Sequence, residues 1–174
     1  KHGFGFFSNY NKNLRYPPIG IVIIEDNCEI GCGWTIGGAS MYYTVIGKKC
    51  LIGHNSILES NVIVGDNCSI GSNVIIRNTI VNNNVNILDG CVIGKKGFGF
   101  FPNKNKNLRY PHIGVVIIND NAEIGSGSTI DRGSMSNTII GKNTYLDNQI
   151  HIAHNNKIGD NCIIAGQVGF AGSS

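Results

Sequence analysis

The chain has 174 residues, of which 14% are charged, with a formal net charge of +3, 24 glycines and abundant asparagine. Gly and Asn disfavour helix and favour turns repeated at short intervals, so the composition predicts a single all-β domain spanning residues 1–174. The mild charge, its basic residues spread along the chain with small groups at 12–15 and 104–109, does not imply nucleic acid as a partner, and the lack of ~18 consecutive apolar residues argues against stable membrane insertion, so a cytoplasmic location is expected.

In chain order, residues 1–18 contain Gly-Phe-Gly-Phe-Phe (3–7), an Asn- and Lys-rich stretch and Leu-Arg-Tyr-Pro (14–17), and read as a loop. The first opening residue is Lys rather than Met, which suggests an excerpt of something longer. From Ile46 the aliphatic residues step by six through Ile52, Leu58, Val64, Ile70 and Ile76, then by five to Val81, and again by six to Ile87 and Ile93. A period of six is neither the 3.6 of a helix nor the 2 of an ordinary strand. It fits a short strand plus a corner, with the aliphatic side chain turned inward. Three such units close one triangular coil, and coils stack at the strand spacing of ~4.8 Å. Gly and Asn at the corners tolerate the left-handed backbone that a tight corner requires.

A second loop near 95–112 repeats Gly-Phe-Gly-Phe-Phe at 97–101, and the step of six returns at Ile140, Leu146, Ile152, Ile158, Ile164 and Phe170. Residues 1–48 align with 95–142 without a gap, with 33 of 48 positions identical, so one segment is a duplicate of the other. In each, the six-residue rhythm breaks by ten, between Ile36 and Ile46 and between Ile130 and Ile140. The first copy is degenerate: it has Ile36-Gly37-Gly38-Ala39 where the second has Ile130-Asp131-Arg132-Gly133, and Trp34 where the second has Ser128. A Trp at a position reserved for small side chains should overpack the coil or force a bulge.

Cys28, Cys50, Cys68, Cys91 and Cys162 each precede a repeat aliphatic by two residues, a position filled elsewhere by Ser, Thr, Val or Ala, and read as small core residues rather than metal ligands or disulfides. The densest polar stretch is Asp147-Asn148-Gln149-Ile150-His151-Ile152-Ala153-His154-Asn155. A histidine on a rigid corner can take a proton near neutral pH, which makes His154 the candidate general base, although a histidine can equally cap a turn. His54 fits a structural corner, His2 and His112 fall in loops and read as solvated, and Asp131 with Arg132 reads as a structural ion pair at a corner more readily than as a substrate contact.

The repeat units, such as Ile46-Gly47-Lys48-Lys49-Cys50-Leu51-Ile52-Gly53, resemble the hexapeptide-repeat acyltransferases, whose coils are left-handed and usually trimeric. Parallel crossovers are otherwise nearly always right-handed, so the expected fold, a left-handed parallel β-helix with two inserted loops, comes from that resemblance. Over 87–174 the motifs Gly97-Phe98-Gly99-Phe100, Ile130-Asp131-Arg132-Gly133, Thr138-Ile139-Ile140-Gly141, Asp147-Asn148-Gln149, Ile152-Ala153-His154-Asn155 and Val168-Gly169-Phe170-Ala171-Gly172-Ser173 resemble the UDP-3-O-(3-hydroxyacyl)glucosamine N-acyltransferases of lipid A synthesis.

That resemblance implies transfer of an (R)-3-hydroxyacyl group from acyl carrier protein to the 2-amino group of a UDP-glucosamine-type acceptor, with His154 as base. It also implies Asp147, Asn148, His151 and Asn155 around the substrate, backbone N–H groups such as those of Gly166 and Gly169 at the oxyanion, no metal or cofactor, and a homotrimer. Where the family usually has Gln, this chain has His151, and the second-histidine motif that follows in the family is not in the sequence, so the isolated chain is expected to be inactive. Three alternatives remain open on residues alone: another sugar-nucleotide acyltransferase, a γ-type carbonic anhydrase, for which His151 and His154 supply only two of three zinc ligands, and a non-catalytic, degenerate β-helix.

Overall fold

The computed structural model describes residues 5–9, 12–16, 21–37 and 43–174, the first two segments as backbone only. The first-copy readings at His2 and at residues 38–42 lie outside these. The described residues form the all-β, left-handed parallel β-helix expected from the sequence. Three seven-stranded parallel sheets make the sides of a triangular prism. One face stacks the strands Glu29–Ile30, Leu51–Ile52, Ser69–Ile70, Asn86–Ile87, Glu123–Ile124, Tyr145–Leu146 and Ile163–Ile164. A second face runs from Thr35–Ile36 through Val92–Lys96, Thr129–Arg132 and His151–Ile152 to Gly169–Phe170, and a third from Val22–Ile24 through Val116–Ile118 and Thr138–Ile140 to Lys157–Ile158.

The six-residue step and the coil are one fact seen twice. Ile46, Ile52, Leu58, Val64, Ile70, Ile76, Val81, Ile87 and Ile93, then Ile118, Ile124, Ile130, Ile140, Leu146 and Ile152, are all at most 2% exposed and form columns inside the prism. Each full burial is worth ~1.5–3 kcal/mol, and the identical in-register partners above and below fix which residue points inward. The single five-residue step shortens one corner, at Arg77 and Asn78, without shifting the strands it joins. Corners carry left-handed backbone at fifteen non-glycine positions among the described residues, eleven of them Asn, as the corner argument requires.

Cys50, Cys68 and Cys91 lie in the core, each thiol directed at a backbone carbonyl, while Cys28 and Cys162 on outer coils are half-buried and Cys32 is exposed. Burial raises the Cys91 thiol to about 11, which keeps it protonated and inert.

The expected distortion at Trp34 does not occur. Thr35–Ile36 pairs with Ile57–Leu58 in register, and Trp34 is 42% exposed on the outermost described coil, where no further coil stacks on it. Its counterpart Ser128 is fully buried between coils, so the same position is open on the outermost described coil and tight within the stack.

Both loops contain a two-stranded antiparallel hairpin, Gly5–Asn9 with Lys12–Tyr16 and Phe100–Phe101 with Leu108–Arg109. Their registers correspond: Phe6 faces Arg15 as Phe100 faces Arg109, and Phe7 faces Leu14 as Phe101 faces Leu108. The loop through residues 97–115 and the shorter excursion at 133–137 both leave the coil between the second and third faces, so they gather along one edge of the prism.

Candidate active site

His154 stands on that same edge. Ile152 ends its strand on the second face, Lys157 begins the next on the third, and His154-Asn155 makes the corner between them, Asn155 holding φ 63°. The corner is firmly tied: the Asn155 N–H donates to Thr138 Oγ1 at 3.0 Å, its side-chain oxygen accepts from the Ser134 N–H at 2.7 Å, and the His154 carbonyl accepts from the Ser173 N–H at 2.9 Å. The Asn155 side chain is thereby engaged within the fold at both its oxygen and its nitrogen.

The glycine-rich loop folds back over the imidazole. A methyl group on Gly97 would meet His112 Nε2 and the His154 ring at 2.9 Å, one on Gly99 would lie 3.3 Å from His154 Nε2, and one on Gly172 of the following coil would lie 2.6 Å from the same nitrogen. A side chain at any of these three positions would have to displace the ring or the loop, because the backbone itself walls the ring. The loop is held by Arg109, whose guanidinium donates to the Gly97 carbonyl at 2.6 Å and sits 4.6 Å above the Phe100 ring, while Phe98 is 81% exposed beside it.

His112 is not solvated, contrary to its reading from sequence: it is 4% exposed and its ring meets that of His154 edge to face, with centroids 5.3 Å apart. Burial, and secondarily the neighbouring His154, pushes its pKa below the usual histidine value despite the Tyr110 carbonyl that favours the charged form. No local pattern announces His112, since 42 residues separate it from His154, but a difference between the copies does: the first copy has Pro18 for His112 and Ser60 for His154.

The structure does not place Asp147 and Asn148 beside His154. They lie on the preceding corner, between the first and second faces, where Asp147 Oδ2 accepts from the Gly166 N–H at 3.0 Å and Asn148 Oδ1 accepts from the Ser126 N–H at 2.8 Å. Asp89 caps Ser72 in the same manner two coils earlier, and His54 Nδ1 accepts from the Cys32 N–H at 2.9 Å, consistent with the structural reading of His54. Gly166 therefore spends its N–H on Asp147 and not at the His154 corner, and Gly169 lies on the second face opposite His151.

His151 occupies the middle of the second face, between the two edges. Its Nδ1 is 2.7 Å from Thr129 Oγ1, and its Nε2 is 4.0 Å from Asp131 Oδ2. Asp131 is wholly buried and ion-paired with Lys95 of the preceding coil, so the partner expected from sequence, Arg132, is replaced by Lys95. The Arg132 guanidinium donates to the carbonyls of Gly114 and Ile113, clamping the segment that brings the loop back to the coil. Both residues thus serve the scaffold under the loop. Among the described residues no cluster of three or more His, Cys, Asp or Glu is arranged to hold a metal ion.

The bacterial transferase hexapeptide model, made of six repeats, matches residues 43–78. Over 93 residues the chain is 47% identical to the UDP-3-O-acylglucosamine N-acyltransferase of Bradyrhizobium diazoefficiens, covering 53% of this chain and 26% of that protein. Over 101 residues it is 46% identical to UDP-3-O-acylglucosamine N-acyltransferase 2 of Legionella pneumophila, covering 58% of this chain and 29% of that protein. The chain thus spans a little over a quarter of the length of these relatives. LpxA from Acinetobacter baumannii superposes with a TM-score of 0.62 at 23% identity, over 86% of this chain and 53% of that one, a likeness of fold. The resemblance read from the motifs is the one these relatives carry.

Proposed function

We propose that the chain is the β-helical part of an acyltransferase of lipid A synthesis, moving an (R)-3-hydroxyacyl group from acyl carrier protein to the 2-amino group of a UDP-3-O-acylglucosamine acceptor. The observation that carries this reading is His154 itself: a half-buried imidazole on a rigid corner, its Nε2 near Gly99 and Gly172, in a chain that is 46–47% identical over 93–101 residues to enzymes of that name. The amine nitrogen attacks the thioester carbonyl, His154 accepts the proton that the nitrogen sheds, and the carbon–sulfur bond breaks as that proton passes to the departing thiolate. The net change is one thioester and one amine converted to one amide and one thiol, with no metal or cofactor called on.

An acceptor lying across the second face would have His154 at one edge, His151 beneath it and Asp147 and Asn148 at the other edge. Phe98, exposed on the loop, offers an apolar surface to the acyl chain. A homotrimer is supported by the third face, where Ile23, Val45, Ile63, Ile80, Ile117 and Ile139 stand in register on its outer side, Ile23 40% and Ile63 43% exposed.

The test is transfer from hydroxyacyl-acyl carrier protein to the UDP-glucosamine acceptor, with residues 87–174 replacing the matching coils of a complete relative. Product formation that His154→Ala lowers by ~10²–10⁴-fold supports the reading. A correctly folded trimer without turnover, or full activity in His154→Ala, leaves the non-catalytic β-helix in its place.

A further inference from the structure

We propose that His112 is a positioning residue that fixes the tautomer of His154 through a chain of hydrogen bonds running from the Tyr110 carbonyl through both imidazoles. The inference rests on His154 being the base.

The direction of the chain follows from what each atom can do. His112 Nδ1 lies 3.0 Å from the Tyr110 carbonyl oxygen, which can only accept, so Nδ1 carries the proton. Burial disfavours the charged form of the ring, and in the neutral ring with Nδ1 protonated Nε2 carries a lone pair and has nothing to receive. That Nε2 and the Nδ1 of His154 are both buried polar nitrogens without a hydrogen-bond partner, on two rings already in contact. A buried unsatisfied group of this kind costs ~1–3 kcal/mol, and here two such groups are complementary. One accepts and the other, if protonated, donates.

Rotation of the His154 ring by a half-turn about Cβ–Cγ places Nδ1 where Cδ2 now stands, 2.9 Å from a methyl placed on Gly97, which His112 Nε2 also approaches to 2.9 Å. The rotation costs little elsewhere, because Nε2 and Cε1, which it interchanges, both face Gly172 at nearly the same distance, 2.6 and 2.7 Å from a methyl placed there. The resulting order is carbonyl of Tyr110, Nδ1–H of His112, Nε2 of His112, Nδ1–H of His154. His154 Nε2, now in the place of Cε1, still faces Gly172 and retains its lone pair, which is the form a base requires. In many catalytic histidines a carboxylate sets the tautomer in this way. Here a second, neutral histidine occupies that place, and when His154 accepts the amine proton its charge is shared along the chain instead of being neutralised. The duplicate agrees: both members of the pair are missing together, as Pro18 and Ser60.

The experiment is long-range 1H–15N correlation on the imidazoles of the 174-residue chain, at a pH above the ordinary histidine value of ~6.5, with His154 assigned from a His154→Gln spectrum. His154 is expected as the Nδ1–H tautomer in the native chain and in His112→Gln, whose amide oxygen can still accept. His112→Phe, which keeps a ring but no acceptor, is expected to convert it to a mixture rich in Nε2–H. A native His154 in the Nε2–H form, or a tautomer unchanged in His112→Phe, overturns the proposal. The readout needs no turnover, so its failure is separable from that of the proposed function: loss of transfer in His154→Ala together with an unchanged tautomer in His112→Phe removes the relay and keeps the base.

Discussion

The two long repeats of this chain fold into the same kind of coil yet differ in what they place at the loop-bearing edge. In the second, the loop at 97–115 closes over His154, Lys95 and Asp131 anchor the strand that launches it, and Arg132 clamps its return. In the first, the positions matching His154, Asp131 and Arg132 are Ser60, Gly37 and Gly38, and the strand pairing survives without those three side chains. The aliphatic columns and Asn corners are thus enough for the coil. The charges and histidines are additions to it.

The comparison can be strained from each side. Lys95→Ala leaves the buried Asp131 carboxylate unpaired and should cost about 3 kcal/mol, the lower end of the usual range because Lys95 is itself 38% exposed. Equilibrium urea unfolding checks this, with Glu59→Ala as control: its ion pair with Arg77 is open to solvent on both sides and should change stability by less than ~1 kcal/mol. Ser128→Trp installs the first-copy residue where coils stack on both sides and removes the hydroxyl that receives the Ile150 N–H, so a loss of ~2–3 kcal/mol is expected in the same measurement.

Gly97→Ala should leave stability nearly unchanged but push the loop off His154, lowering acyl transfer by the graft ~10-fold or more, as misplacement of a reacting group does. The smallest effect belongs to Trp34→Ser, the reverse exchange on the outermost described coil, which should shift the thermal midpoint by no more than ~0.5 kcal/mol allows.

Most of the coil was legible in the sequence because its rule is local. A period of six with Asn and Gly at fixed offsets dictates strand, corner and inward column together, and the five-residue step at Val81, visible in the sequence, turns out to be a shortened corner. Handedness was not legible in that way and came from resemblance. At the site, His154 could be picked from its own neighbourhood, but Asp147 and Asn148, close in sequence, were separated by the corner geometry of the prism: seven residues along a triangular coil cross from one edge to the next. His112 was missed for the converse reason, since a loop brings it across 42 residues, and Trp34 was misjudged because the period of six places it in the stack without saying how much room the coil around it leaves.

The most direct test of the account is to put the first-copy residue into the second copy. In a complete relative carrying residues 87–174, His154→Ser should abolish hydroxyacyl transfer to the UDP-glucosamine acceptor while the protein unfolds at the same urea concentration as its parent. Transfer that persists in His154→Ser would contradict the assignment of the site to this edge of the second copy.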